Sequence, residues 1–243
     1  DFSVGAVSGV AAVLAAKSVG AGPLVSLLVA LATGMAIGAL NGLIHVGFKA
    51  PANIVTLCTQ FTFRGVIQVV AVSGLFIPLS WSWIDSLKVK LIVAVVIVII
   101  TILIFEYTKV GKYSKAVGSN SLASIQSGVP MQKMRVFAFM LSGLAAGLCG
   151  FFSMVRAGSV APTTGTALEM DILLALVLGG MPLSGGATSK IRSAIIGSAM
   201  LAFLSNGLII WGINDNVQQG VKGLIFLIAV AISFERENIA VIK

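Results

Sequence analysis

Residues 89–107 read VKLIVAVVIVIITILIFEY, and no charged side chain stands between Lys90 and Glu106. The hydrocarbon core of a bilayer is about 30 Å thick, so a helix that rises about 1.5 Å per residue needs about 20 apolar residues to cross it. The stretch has this length and composition. It therefore predicts a membrane-spanning helix.

The composition of the whole chain agrees with this interpretation. Of the 243 residues, 58% are hydrophobic and only 10% are charged, with a mean hydropathy of +1.07. A soluble domain typically has about 25% charged residues, and so few charges leave too little polar surface to cover a soluble core. The composition excludes a soluble globular enzyme and a disordered chain. The predicted fold class is all-α, a polytopic transmembrane helical bundle.

Apolar stretches recur along the chain, separated by short segments that carry most of the charges. They predict eight spans, of which the first and the sixth are too short to cross comfortably. These two are half-helices, or the first is a span whose beginning is missing. The predicted spans are residues 3–16, 23–46, 53–72, 89–107, 136–155, 169–181, 191–212 and 219–234.

The distribution of basic residues predicts the orientation. The chain has 16 basic and 8 acidic residues, and segment 108–135 holds five basic residues and no acidic one. Short cytoplasmic loops are rich in Lys and Arg, so this segment is predicted to face the cytoplasm. Nucleic-acid binding is not predicted, because the basic residues lie between apolar runs rather than on one polar face. Three tryptophans at predicted outer span ends are expected at the membrane interface: Trp81, Trp83 and Trp211.

Small residues recur every four positions in two predicted spans. Gly34, Gly38 and Gly42 lie on one face of the second span, and Gly143 and Gly147 lie on one face of the fifth. Such spacing lets two helix backbones approach closely in lipid, where no hydrophobic force drives helices together. We therefore expect a compact bundle.

No pattern typical of catalysis is found in the sequence. A phosphate-binding G-x-x-x-x-G-K-[ST] motif is absent, and the single histidine, His45, has no second His or Cys at ligand spacing. We predict no catalytic residue, no metal site and no cofactor in this chain. Energy for any transport must then come from an ion gradient or from another polypeptide.

The predicted cytoplasmic segment contains a short helix of its own. Ser119 and Asn120 are good N-caps, and a glycine and a proline at positions 128 and 130 form a stop signal. The residues between them include apolar side chains at 122, 123 and 125. A capped helix in a loop of about 28 residues is more often functional than merely connecting. Its apolar side suits docking into a groove of a partner.

Several short motifs carry a resemblance to a known family. They are Asp1-Phe-Ser-Val-Gly, Phe63-Arg64-Gly65, Gly111-Lys-Tyr, Ala116-Val-Gly-Ser-Asn120, Ser127-Gly128, Ala161-Pro-Thr-Thr-Gly165, Leu168-Glu169-Met-Asp171, Val177-Leu-Gly-Gly180 and Leu183-Ser-Gly-Gly186. The cluster from 161 to 186 is specific in order and spacing. With these motifs, and over essentially its whole length, the chain resembles the permeases of bacterial ABC importers of the ribose, xylose and galactoside type.

The resemblance implies a single transmembrane permease domain over residues 1–243, N-terminally incomplete, from a protein of about ten spans in the bacterial cytoplasmic membrane. Implied partners are a cytoplasmic ATPase that holds ATP and magnesium, an extracytoplasmic sugar-binding protein, a second permease copy in a homodimer or heterodimer, and membrane lipid. The coupling segment of the family reads N-E-A-A-x-x-x-S-G, and this chain has Ser121 in place of the glutamate. Any role of that carboxylate is absent or replaced here.

Two sets of candidate site residues follow. ATPase coupling is assigned to the loop 108–135, at Gly118, Asn120, Ser121, Leu122, Ala123, Ile125, Ser127 and Gly128. A translocation path for a simple sugar or related neutral solute is assigned to Asp1, Ser3, Arg64, Thr163, Thr164, Glu169 and Asp171. The alternative is a secondary transporter or channel driven by an ion gradient, in which Arg64, Glu169 and Asp171 act as gating or proton-relay groups.

Overall fold

The computed structural model describes residues 1–72, 74–181 and 190–233. These residues form α-helices and one short antiparallel pair of strands, Leu75 opposite Val160 and Phe76 opposite Ser159, so the predicted helical class is confirmed. The elements are α1 Val4–Lys17, α2 Pro23–Gly47, α3 Ala52–Val70, β1 Leu75–Phe76, α4 Leu87–Ile102, α5 Lys109–Ser119, α6 Ser121–Gln126, α7 Met131–Ala157, β2 Ser159–Val160, α8 Leu168–Leu178, α9 Ile191–Ile210 and α10 Asp215–Ser233.

Two compact units make up the chain, Asp1–Glu169 and Met170–Lys243. The first contains α1 to α7 with the strand pair, and the second contains α9 and α10 with most of α8. The interpretation of residues 1–243 as one permease domain stays a prediction.

Helix α1 lies in the interior of the first unit. Eleven of its 14 residues are buried, and all eleven are alanine, glycine, valine or serine. It packs against α2, α3 and α7. Such small side chains let three neighbouring helices surround it closely. At about 1.5 Å per residue the helix is about 21 Å long, so it is shorter than a bilayer core, as the sequence predicted.

The predicted close packing of the glycine faces is confirmed. Helices α2 and α7 share the most extensive interface of the first unit. A Cβ added at Gly38 would collide with the carbonyl oxygen of Phe139, and one added at Gly143 would collide with the carbonyl oxygen of Gly34. Because the obstacles are backbone atoms, no side-chain movement could relieve them. The helices therefore approach as closely as they do only because these positions lack a Cβ.

Among the described residues, four helices are long and apolar enough to cross a membrane: Pro23–Gly47, Leu87–Tyr107, Met131–Ala157 and Ile191–Ile210. The second of these continues from α4 through a π-helical turn, Leu103–Tyr107. Helix α1 and residues Asn216–Ala231 are apolar but shorter, and α8 has 11 residues. The count of eight crossings and the orientation stay predictions.

The structure corrects one predicted interfacial tryptophan. Trp81 is only 6% exposed and packs against Phe151, with ring centroids 6.4 Å apart. A 3₁₀ turn, Leu79–Trp81, ends at this residue and places the indole within the core cluster of the first unit. Trp83 and Trp211 are exposed at helix boundaries, where interfacial tryptophans are expected.

Two features of the sequence lie outside the described residues. The motif Leu183-Ser-Gly-Gly186 belongs to residues 182–189, and the last predicted span extends to residue 234, one beyond the end of α10.

Candidate translocation and coupling sites

A polar network surrounds the start of α1 and runs from the exposed Asp1 into the interior of the first unit. The Oδ1 atom of Asp1 accepts hydrogen bonds from the backbone N–H and the hydroxyl of Ser3, at 2.8 and 2.6 Å. The Oδ2 atom accepts one from the hydroxyl of Ser142 on α7, at 3.1 Å. The carboxylate of Asp1 thereby connects the start of α1 with the middle of α7.

The same network continues into α2 and α3 through Asn41. Its Nδ2 atom donates to the hydroxyl oxygen of Ser3 at 2.9 Å, and its Oδ1 atom lies 2.6 Å from the hydroxyl of Thr59 on α3. Asn41 is fully buried. A polar group in an apolar interior costs free energy unless it is hydrogen-bonded, and both ends of this amide are. Asn41 and Thr59 were not among the predicted site residues. An asparagine within a predicted span was nevertheless a signal for such a network, because polar side chains inside the membrane face the bundle interior and pair with other polar groups.

A second polar cluster forms around Arg64 on α3. Its Nη1 atom donates to the carbonyl oxygen of Thr164 at 2.8 Å, and Nη2 donates to the carbonyl oxygen of Gly165. These two carbonyls belong to a turn in which the N–H of Thr164 donates to the oxygen of Ala161 at 2.9 Å. The guanidinium group therefore ties α3 to the turn that precedes α8.

Glu169 belongs to the same cluster. Its Oε1 atom accepts a hydrogen bond from Nε2 of Gln60 at 2.6 Å. Its Oε2 atom is buried, and among the described residues it has no hydrogen-bond partner. This oxygen lies next to Gly5. A Cβ added to Gly5 would collide with it and with the carbonyl oxygen of Gly165. The carboxylate thus retains one unused acceptor in the interior of the first unit.

Asp171 makes its polar contacts within the second unit. The Nζ atom of Lys222 on α10 lies 2.9 and 3.0 Å from the two carboxylate oxygens of Asp171 on α8. The side chains are partly buried, with 16% of Lys222 and 33% of Asp171 exposed. An ion pair of this kind holds α8 against α10. Lys222 was not among the predicted site residues.

The structure groups the predicted path residues into separate sets. Asp1 and Ser3 lie in the network with Asn41, and Arg64, Thr164 and Glu169 lie in the cluster with Gln60. Thr163 is exposed in the turn between β2 and α8. Apart from the local contact of Asp1 with Ser3, the pairings join residues 18 to 141 positions apart, so spacing in the sequence could not predict them. A role in translocation stays a prediction for all seven residues.

The predicted short helix in segment 108–135 is present as α6, Ser121–Gln126. The side chain of Asn120 accepts a hydrogen bond from the backbone N–H of Ala123 at 3.0 Å, which is the predicted N-cap. Gly128 follows in a left-handed conformation, with φ of +79°, a conformation that favours glycine. Helix α5, immediately before it, was not predicted separately. Its cap is Thr108, whose side chain accepts from the N–H of Val110 at 3.2 Å.

The apolar side chains of α6 are exposed. Leu122 is 73% and Ile125 is 55% exposed, and Ala123 is exposed as well. Ser124, on the other side of the helix, is only 5% exposed and donates a hydrogen bond to the carbonyl oxygen of Asn120 at 2.8 Å. One side of the helix therefore lies against the protein, while the apolar side chains are available to another molecule.

Comparisons with known proteins give the family. The family model described as "Branched-chain amino acid transport system / permease component" matches residues 1–230. The ribose import permease protein of Escherichia coli K12 is 32% identical over 98% of this chain and 78% of its own length. The ribose import permease protein of Bacillus subtilis is 31% identical over 95% and 74%. The fructose import permease protein of Bifidobacterium longum is 34% identical over 88% and 64%. No solved structure matches.

These matches confirm the resemblance that the motifs carry and the predicted multi-pass localisation in the bacterial cytoplasmic membrane. They extend over almost the whole chain, so both sets of candidate residues lie within the matched region. The chain belongs to the family of transport-system permease components, as a membrane permease subunit of the bacterial ABC importer type.

Proposed function

We propose that this chain translocates a simple sugar or related small neutral solute as the permease of an ATP-driven importer. The names of its relatives, import permeases for ribose and fructose, support this substrate class. The low content of charged residues, 10%, suits a path for a neutral solute. The observation that carries the proposal is the exposed apolar side of α6, a docking surface on a capped helix.

A separate cytoplasmic ATPase supplies the energy in this proposal and holds the ATP and magnesium. An extracytoplasmic binding protein delivers the solute, and a second permease copy completes the path. When the ATPase subunits bind ATP and close, they move the docked helix α6. Only residues 127–130 separate α6 from α7, and α7 packs tightly on α1 and α2. A shift of α6 is therefore passed to the helices around the polar network and changes the populations of two packings.

The proposed path residues suit a solute that is rich in hydroxyl groups. Asp1 and Ser3 in one cluster, and Glu169 with Arg64 in another, offer hydrogen-bond acceptors and donors. Few such groups in a largely apolar surrounding orient a neutral ligand without holding it tightly. Thr163 and Thr164 belong to the same proposed path, and a part in translocation is proposed separately for Asp171 in the second unit.

The experiment is uptake by the intact permease reconstituted with its ATPase and binding protein. Leu122→Glu should reduce ATP-driven uptake at least about tenfold, because burial of a leucine contributes about 1.5–3 kcal/mol and a carboxylate opposes docking. The control is Gln126→Glu, which adds the same charge to an exposed polar position of the same helix and should keep most of the uptake.

Two results would contradict the proposal. One is full ATP-driven uptake by the Leu122→Glu variant with normal ATPase binding. The other is solute accumulation by the permease alone in liposomes that an ionophore abolishes, which is the behaviour of a gradient-driven transporter.

A further inference from the structure

A cleft opens between α4 and α7 in the first unit. Its volume is about 310 Å³, and its surface is almost entirely apolar except at one end. None of the residues of α4 is buried, so this helix does not fill the space against α7. The walls are Val93, Ala94 and Ile97 from α4, and Cys149, Phe152 and Ser153 from α7.

Two basic side chains line one end of the cleft. Lys90 is near the start of α4 and Arg156 is near the end of α7. The N–H of Ile77, before α4, donates to the carbonyl oxygen of Gly158, just after α7, at 2.9 Å, so the two helices run in opposite directions along the cleft. From Lys90 to Ile97, and from Arg156 to Cys149, the chain advances seven residues, or about 10 Å along a helix. One leaflet contributes about 15 Å of hydrocarbon. The apolar part therefore fits within one leaflet, below a basic rim.

The basic rim has an excess of positive charge. Lys90 pairs with Asp85, with 2.6 Å between Nζ and Oδ1. Arg156 is exposed and, within the described part of the chain, forms no ion pair. Two cations and one carboxylate leave one uncompensated positive charge. A guanidinium group binds a phosphate with two parallel hydrogen bonds.

The size of the cleft suits a hydrocarbon chain. A volume of about 310 Å³ divided by a length of about 10 Å gives a mean cross-section of about 30 Å². One extended acyl chain is narrow enough for this cross-section, and the positive charge at the basic end of the cleft is complementary to a phosphate.

We propose that this cleft binds an anionic phospholipid of the surrounding membrane. The phosphate lies at Arg156 and Lys90, and one acyl chain lies along Ala94 and Phe152 toward Ile97 and Cys149. The bound lipid completes the packing between α4 and α7. This proposal does not depend on the identity of the transported solute.

The headgroup is tested by native mass spectrometry of the intact permease, purified in detergent and titrated with phosphatidylglycerol or phosphatidylcholine. We expect one phosphatidylglycerol to bind more tightly than phosphatidylcholine. The double variant Arg156→Gln with Lys90→Gln should weaken that binding about tenfold, since charged hydrogen bonds are lost. The control is Lys88→Gln, which removes an exposed charge from the same end of α4 but outside the cleft, and it should bind normally.

The acyl-chain part of the proposal is tested with Ala94→Phe, which fills the cleft from α4. This variant should lose the tightly bound phosphatidylglycerol while remaining monodisperse, and Cys149→Phe, which fills it from α7, serves as a second filling variant. Equal affinity for the two lipids, unchanged binding by the double variant, or unchanged binding by both filling variants would overturn the proposal. So would cross-linking of Cys149 in the intact protein to a segment that precedes residue 1.

Discussion

The interior of the first unit and the segment α5–α6 use small and apolar residues in opposite ways. Between α2 and α7 even one added methyl group at Gly38 or Gly143 would meet backbone, and the amide of Asn41 is hydrogen-bonded at both ends. On α6, Leu122 and Ile125 are mostly exposed. The helices of the interior are closely packed, whereas the apolar side of α6 has no partner within the described part of the chain.

This difference separates the substitutions that test the packing of the fold from those that test docking of another molecule. A side chain in the interior is restricted by its neighbours, so its substitution changes the stability of the fold. A side chain on the exposed side of α6 is not restricted in this way, so its substitution should change binding to another molecule while the fold remains. Substitutions in the two regions therefore test the comparison directly.

The largest effect is expected for Gly38→Leu in α2. The new Cβ would collide with the carbonyl oxygen of Phe139, and the helices would have to separate. Overpacking of a core costs about 1–3 kcal/mol even where side chains can adjust, and backbone cannot adjust so easily. We expect loss of most monodisperse protein in size-exclusion chromatography. Gly47→Leu at the end of the same helix, where a Cβ meets nothing, is the control. Equal yields for both variants would contradict the close-packing argument.

A smaller effect is expected for Asn41→Leu. This change leaves the hydroxyl groups of Ser3 and Thr59 without their amide partner in the interior. A buried polar group that loses its partner costs about 1–3 kcal/mol, so the unfolding free energy in detergent should fall by about 2 kcal/mol. Asn53→Leu, at an exposed position of α3, should change it by less than about 0.5 kcal/mol. An Asn41→Leu variant as stable as the parent would contradict a structural role of the network.

The smallest effect on stability is expected for Asn120→Ala. Loss of an N-cap costs about 1 kcal/mol of local helix stability, because the N–H of Ala123 loses its acceptor. Amide hydrogen exchange in residues 121–126 should become about fivefold faster, and ATP-driven uptake should fall by a similar factor. Global stability should stay unchanged. Asn120→Asp keeps the cap and should restore slow exchange, whereas Ser119→Ala should have no such effect. If amide exchange became faster without any loss of uptake, a role of α6 in coupling to the ATPase would be contradicted.

The sequence predicted some local features of the candidate sites correctly and missed others. The N-cap of α6 was predictable because Asn120 acts on a residue three positions away. The glycine faces were predictable because helical spacing alone aligns them. The contact between Gln60 and Glu169 was not predictable, since it joins residues 109 positions apart. Trp81 was placed wrongly because its burial depends on a turn that folds toward Phe151.

By itself the sequence determined the membrane class, the helical architecture, the glycine faces and the capped helix α6, because composition and short-range spacing control all four. Only the tertiary structure decided which buried polar groups pair, that one oxygen of Glu169 has no partner among the residues the structure describes, and that a cleft with a basic end separates α4 from α7. These features depend on the rotation and register of whole helices against one another. Packing over the entire first unit sets that geometry, and no local stretch of residues contains it.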